Sequence, residues 1–268
     1  MGHIIITILK KVEIMRTALF ASALVLAFSG LAFANQADTI AQEADKRLHG
    51  FGDSTATLKM TLVNPSGQTA ERALRVQNLE TGDGDRSLMI FDTPRDVAGT
   101  ALLTHTQPGS DDLQWLFLPA ISRVKQIAAG NKSGPFMGSE FAFEDIVTPY
   151  WQKYTYSFVR EEKCEALTCF VIERKPKDAN SGYTRQQVWI DKQDYLIRRV
   201  DYYDRKNTLL KTYTATGFQK VQGNWRPALM LMVNAQNRKQ TRLEWSEFKF
   251  KTGLKKDDFT ENALKRAR

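Results

Sequence analysis

The chain has 268 residues, a formal net charge of +8, and only three His and two Cys. Sandwiches and barrels often run to ~200–250 residues as one unit, so the length suits a leader and a single β domain. So few His and Cys leave little for a zinc site. The positive charge serves solubility, or contact with anionic lipid or an acidic partner.

Residues 18–30, ALFASALVLAFSG, are apolar and uncharged, preceded by Lys10, Lys11 and Arg16 and followed by Ala32-Phe33-Ala34. A positive flank, a short apolar core and an A-x-A site make a secretory signal peptide. The run is shorter than the ~20 residues of a spanning helix, which argues against a retained anchor. Residues 1–34 are therefore expected to be cleaved, and residues 35–268 to form one domain in the periplasm. Met15 serves as a start as well as Met1. Export also takes the chain away from nucleic acid.

Residues 35–49 read as a helix, with Asp38 as its N-cap, Ile40, Ala44 and Leu48 on one face, and Gly50 as its stop. The period then changes to two. Leu58, Met60 and Leu62 alternate with polar residues, Asn64-Pro65-Ser66-Gly67 turns the chain, and Leu74 and Val76 alternate on the way back. Strand-like runs follow at 87–91, 100–104, 113–118, 123–127, 153–160, 169–174, 185–190, 196–203, 208–218, 226–233 and 241–250. Their short, turn-like connections describe an antiparallel meander, and no helices alternate with them as a parallel α/β fold requires. Gly82-Asp83-Gly84-Asp85 reads as a hairpin turn, lacking the distal Glu of a calcium loop.

Some strands are apolar on both faces. Trp115 and Phe117 oppose Leu116 and Leu118, and Leu229, Leu231 and Val233 oppose Met230 and Met232. Either such strands are covered on both sides, or their concave face lines an apolar cavity. Gly130, Gly134, Pro135 and Gly138 mark a flexible loop, and 139–145 reads as a short helix after it. The tail from Asp257 is polar and either frays or forms a terminal helical turn. Cys164 and Cys169 lie between two strand-like runs, where opposed residues of a hairpin come within disulfide reach in an oxidising compartment.

Catalytic chemistry is hard to assemble. His49 and His105 are the histidines left after the leader. No G-x-S-x-G elbow, H-E-x-x-H pair or G-x-x-x-x-G-K-[ST] loop is present, so no enzyme class, cofactor or metal is indicated.

The most specific stretch runs from Asp92 to Asp145. It contains Pro94-Arg95-Asp96-Val97-Ala98-Gly99-Thr100, then Gln114-Trp115-Leu116-Phe117-Leu118-Pro119, Arg123-Val124-Lys125, and Gly134-Pro135-Phe136-Met137-Gly138-Ser139-Glu140-Phe141 with Glu144-Asp145. With Asp201-Tyr202-Tyr203-Asp204 and the Trp225 strand, the chain resembles the outer-membrane lipoprotein-sorting proteins. That family is a branch of the superfamily of the periplasmic lipoprotein carrier and its outer-membrane receptor (LolA/LolB-like). The resemblance implies a mainly β (α+β) fold: a curved antiparallel sheet of about eleven strands forming an unclosed barrel, its mouth covered by short helices. It also implies a monomeric, non-enzymatic carrier that shields lipid or lipoprotein acyl chains, working with an inner-membrane exporter of the resistance-nodulation-division (RND) type.

Burying an acyl chain gains about 0.8 kcal/mol per CH₂, so such a site needs apolar surface and little polar chemistry. Met60, Trp115, Phe117, Met230 and Met232 on strands are lining candidates, and Phe136, Met137, Phe141 and Phe143 are lid candidates. Arg95, Arg123 and Lys125 are the candidate partner patch. The competing reading is an adaptor that docks on an exporter and carries nothing. An integral outer-membrane barrel fits less well, because the chain ends Lys265-Arg266-Ala267-Arg268 and most strands carry charges.

Overall fold

The computed structural model describes residues 36–266, so the leader expected over 1–34 lies outside the described residues. A helix, α1, occupies residues 36–48. It is already helical at residue 36, which puts Asp38 inside the helix and not at its N-cap. Six strands follow: β1 (Asp53–Val63), β2 (Thr69–Thr81), β3 (Gly84–Thr93), β4 (Ala101–Thr106), β5 (Leu113–Leu118) and β6 (Arg123–Gln126). After a long connection come β7 (Tyr154–Cys164), β8 (Leu167–Pro176), β9 (Tyr183–Asp191), β10 (Ile197–Asp204) and β11 (Leu209–Thr216). The hairpin β12 (Gln219–Val221) and β13 (Asn224–Arg226) precedes β14 (Leu229–Asn234) and β15 (Gln240–Phe250), and a short helix α2 (Glu261–Arg266) follows.

One antiparallel sheet of thirteen strands takes the order β6-β5-β4-β3-β2-β1-β15-β14-β11-β10-β9-β8-β7, and β12-β13 stand apart as a pair. The sheet is curved and unclosed, as expected, with two strands more than the family resemblance implies. The first and last strands meet at its centre, with Met60 opposite Leu243. β6 and β7, consecutive along the chain, are its two free edges. Residues 127–153 must therefore cross the mouth.

Alternation along each strand sends neighbouring side chains to opposite faces. On the concave side Leu58, Met60, Leu74, Phe91, Leu102 and Met232 are each no more than 1 % exposed and pack with Ile40, Ala41 and Ala44 of α1. On the convex side Leu88, Ile90, Leu103 and Phe117 pack against Phe259 and Leu264 of the C-terminal tail. The tail thus forms a helical turn and does not fray: Phe259 is 1 % and Leu264 0 % exposed. β5 is thus covered on both faces, whereas on β14 Met230 and Met232 face the concave cluster and Leu229, Leu231 and Val233 are half-buried on the other side.

At the β2–β3 turn, Gly84 has φ +123°, and a Cβ there would lie 2.0 Å from the Thr106 carbonyl oxygen. Only glycine lets the end of β4 approach so closely. Cys164 and Cys169 form a disulfide with a Cα–Cα distance of 5.8 Å, joining β7 to β8 beside their hairpin turn.

Candidate functional site

The mouth of the half-barrel is closed by α1 and by the connection from β6 to β7. The apolar face of α1 carries Ala37, Ile40, Ala41 and Ala44, so small side chains meet the sheet. Between Ala41 and Ala44 on one side and Ile172, Val188 and Ile190 on the other runs a narrow apolar gap of about 20 Å³. That is about room for one water. Gly50 and Gly52, with φ +92° and +80°, link α1 to β1 and meet nothing that a Cβ would touch.

The Gly-Pro-Phe-Met-Gly segment, expected as a flexible lid followed by a helix, is instead a plug seated in the mouth. It contains two 3₁₀ turns, Phe136–Gly138 and Phe143–Asp145. Phe136 is 0 % and Phe141 4 % exposed, and Phe143 meets Phe136 edge-on at 5.5 Å. Buried polar groups from distant strands hold it. Lys211 Nζ lies 2.6 Å from Asp145 Oδ2 and donates to the Glu140 carbonyl oxygen at 2.8 Å. Tyr183 donates its hydroxyl to Asp145 at 2.9 Å, and Asn234 donates to Glu140 Oε2 at 2.7 Å. Arg72 donates to the Met137 carbonyl oxygen. Glu144 accepts the Ser181 hydroxyl at 2.7 Å and the Gly182 N–H at 2.9 Å, while burial pushes its carboxyl above the ordinary range. The acids of the motif are ties to the sheet, which spacing alone cannot reveal.

The structure brings Met60, Phe136, Met137, Phe141, Phe143, Met230 and Met232 together in or against the concave cluster. The Trp245 indole N–H donates to the Met230 sulfur at 3.2 Å. Trp115 and Phe117 belong to the other face, packed with the C-terminal tail, while their neighbour Leu116 points inward. Arg95, Arg123 and Lys125 are exposed on or beside the turns at one end of β3–β6. Ile121 between them is 59 % exposed.

Two polar features escaped the sequence reading. At the end of α1, His49 Nδ1 lies 2.9 Å from the Asp45 carbonyl oxygen, and Nε2 is 3.4 Å from Asp85 Oδ2. Tyr150 donates to Asp85 at 2.8 Å, and the Trp151 N–H donates to Asp45 at 3.0 Å. Burial alone would depress the imidazole pKa, but Asp45 and Asp85 outweigh it and raise it to about 10. The second feature is a cleft of about 440 Å³ where the two ends of the sheet face each other. The β4–β5 turn, the plug and the β8–β9 loop form its walls, and Lys153 of the β7 side pairs across it with Asp112. Among the described residues no His, Cys, Asp or Glu side chains cluster as a metal site, and no helix is long and apolar enough to cross a membrane.

An open antiparallel barrel with an apolar interior, stopped by one helix and a tethered plug, defines the class of half-barrel sorting proteins. An outer membrane lipoprotein-sorting protein domain from Vibrio parahaemolyticus is 47 % identical, with a TM-score of 0.85 over 87 % of this chain and 100 % of that one. A DUF1329 family protein from Desulfovibrio piger is 29 % identical, with a TM-score of 0.83 over 87 % and 99 %. A LolA superfamily protein from Nitrosomonas europaea, 21 % identical with a TM-score of 0.69 over 85 % and 98 %, shares the fold. A family model described as an uncharacterized protein matches residues 83–266, and no curated protein matches. The chain belongs to the outer membrane lipoprotein-sorting protein family.

Proposed function

We propose that the protein is a periplasmic, non-enzymatic carrier that takes lipid or lipoprotein acyl chains beneath α1 and works with an inner-membrane RND-type exporter. The observation that carries this reading is the interface between α1 and β8–β9. It is an apolar seam of small side chains on the helix facing Ile172, Val188 and Ile190, and it already holds a narrow gap. The helix leaves the barrel through Gly50 and Gly52, whose N–H groups donate to the Glu80 carboxylate at 2.7 and 2.6 Å, and swinging it out about this link would expose a continuous apolar surface. Family membership supports the same reading. The leader delivers the chain to the periplasm with cleavage after Ala34, and Arg95, Arg123 and Lys125 meet the exporter. Trp115 and Phe117 are structural under this reading and touch no cargo.

One observation favours the adaptor reading. The concave space is filled by Phe91, Phe136, Phe141 and α1, and the gap is far smaller than an acyl chain. Native mass spectrometry of protein purified from its own periplasm without detergent, followed by organic extraction, separates the two. A bound lipid or acylated peptide of defined mass is expected. Empty protein that also fails to take up a fluorescent fatty acid would establish the adaptor.

A further inference from the structure

We propose that the cleft facing the β7 side is a headgroup site, built for a phosphodiester that also carries N–H donors, as in phosphoethanolamine. The proposal rests on the carrier reading and names the polar part of the cargo.

Its volume of about 440 Å³ lies within the roughly 300–1,000 Å³ usual for small-molecule sites. More telling is which of its polar groups have no protein partner. Gln114 is 0 % exposed, and its amide Nε2 donates to the Phe143 carbonyl oxygen at 3.0 Å, yet its Oε1 is buried and accepts nothing. The donation to Phe143 fixes which end of the amide is oxygen. An orphaned buried acceptor is costly until a donor arrives. Lys132 is 8 % exposed and has no ion pair among the described residues. Its side chain is largely buried, while the ammonium at its tip has no counter-charge, which an anion in the cleft would supply.

Several other polar groups around the cleft already have protein partners. Lys153 pairs with Asp112, and Lys177 donates to the Gln152 carbonyl oxygen at 2.7 Å. Glu144 is satisfied by Ser181 and Gly182, and Asp178 accepts from the Asn180 N–H at 2.8 Å. What remains is the Lys132 cation, one deep acceptor and, at the exposed rim, the ammonium of Lys177 and the carboxylate of Asp111. A phosphate answers Lys132. N–H donors on the same head answer Gln114 Oε1 and Asp111. Phosphocholine offers the phosphate without the N–H, and inorganic phosphate lacks the ammonium.

The cleft also lies where a head should sit if a chain follows it. Pro149 lines both the cleft and the apolar gap under α1. A lipid with its head at Lys132 and Gln114 would pass over Pro149 and lay its chain against Ala44 and Ile190.

The test is isothermal titration of residues 35–268 with glycerophosphoethanolamine, glycerophosphocholine and inorganic phosphate. Wild type is compared with Lys132→Met, Lys132→Arg and Gln114→Met, each checked for folding by circular dichroism. Wild type is expected to favour glycerophosphoethanolamine over the other two by about tenfold, the worth of one well-placed hydrogen bond. Lys132→Met should lose binding, Lys132→Arg should keep it, and Gln114→Met should level the two glycerophosphodiesters. Equal wild-type affinity for both diesters overturns the N–H donor assignment, and binding indifferent to Lys132→Met overturns the site. Should the Met variant not fold, Lys132→Gln takes its place. A protein that takes up fluorescent fatty acid but no headgroup refutes this inference and leaves the carrier reading standing. One that takes up neither refutes both.

Discussion

Lys211 and Asp145 form an ion pair inside the half-barrel, Nζ to Oδ2 at 2.6 Å, with side chains only 5 % and 4 % exposed. Asp145 also accepts the Tyr183 hydroxyl and the Ala142 N–H, and Lys211 sits 5.3 Å from the Tyr183 ring centroid. The pair binds the plug to β11, and neither partner is solvated enough to tolerate losing the other.

Lys211→Met strands the Asp145 carboxylate in the interior. It should destabilise the fold by ~3–5 kcal/mol, as breaking buried pairs does. The double variant Lys211→Met, Asp145→Asn should recover much of that loss. Urea denaturation of the two variants checks the difference.

His49 sets a pH dependence. Its folded pKa is raised from 6.5 to about 10. A raised imidazole contributes stability that is fully present below the unfolded pKa and is lost as pH rises through the folded one. The melting temperature should therefore fall between pH 6.5 and about pH 10 more steeply in wild type than in His49→Gln. Parallel thermal melts across that window measure it.

Reduction of the Cys164–Cys169 bond removes a short cross-link, with a sequence separation of 5. By loop entropy its loss should cost about 2 kcal/mol. At this chain length that corresponds to a drop of ~4–8 °C in melting temperature. The Cys164→Ser, Cys169→Ser protein should melt at the same temperature as reduced wild type.

Ala44→Leu tests the seam under α1. The larger side chain fills the gap and should abolish uptake of a fluorescent fatty acid, while overpacking costs only ~1–3 kcal/mol. Uptake unchanged in a folded Ala44→Leu protein would place the chain elsewhere.

Arg95→Glu, Arg123→Glu, Lys125→Glu should leave the melting temperature nearly unchanged, since exposed substitutions usually fall within about 0.5 kcal/mol. Co-purification with inner-membrane exporters should weaken. Retained co-purification would move the partner surface away from these turns.

Much of the architecture was legible because period-two alternation survives in the sequence: β1 shows it in Ala56, Leu58 and Met60, all buried. The disulfide was legible because its partners are close along the chain. The plug was not. Its ties run to Arg72, Tyr183, Lys211, Asn234 and Thr241, up to 101 residues away along the chain, and local composition, rich in glycine, pointed to mobility. Nor could alternation assign faces to β5, where Trp115-Leu116-Phe117 is apolar in both registers. Phe259 and Leu264 settle it by covering Phe117 from outside, and they lie in a tail whose charges conceal two buried side chains.

The meeting of β1 with β15 at the middle of the sheet has a consequence for assembly. The Thr252 N–H donates to Asp53 at 2.6 Å across 199 residues of chain. The central ladder cannot zip until nearly all of the polypeptide has arrived, and high contact order makes such folding slow. A chain threaded into its compartment N-terminus first would hold β1–β6 as a lone meander with an apolar face, waiting for its other half. During that interval it is most exposed to aggregation and has the greatest need of a chaperone.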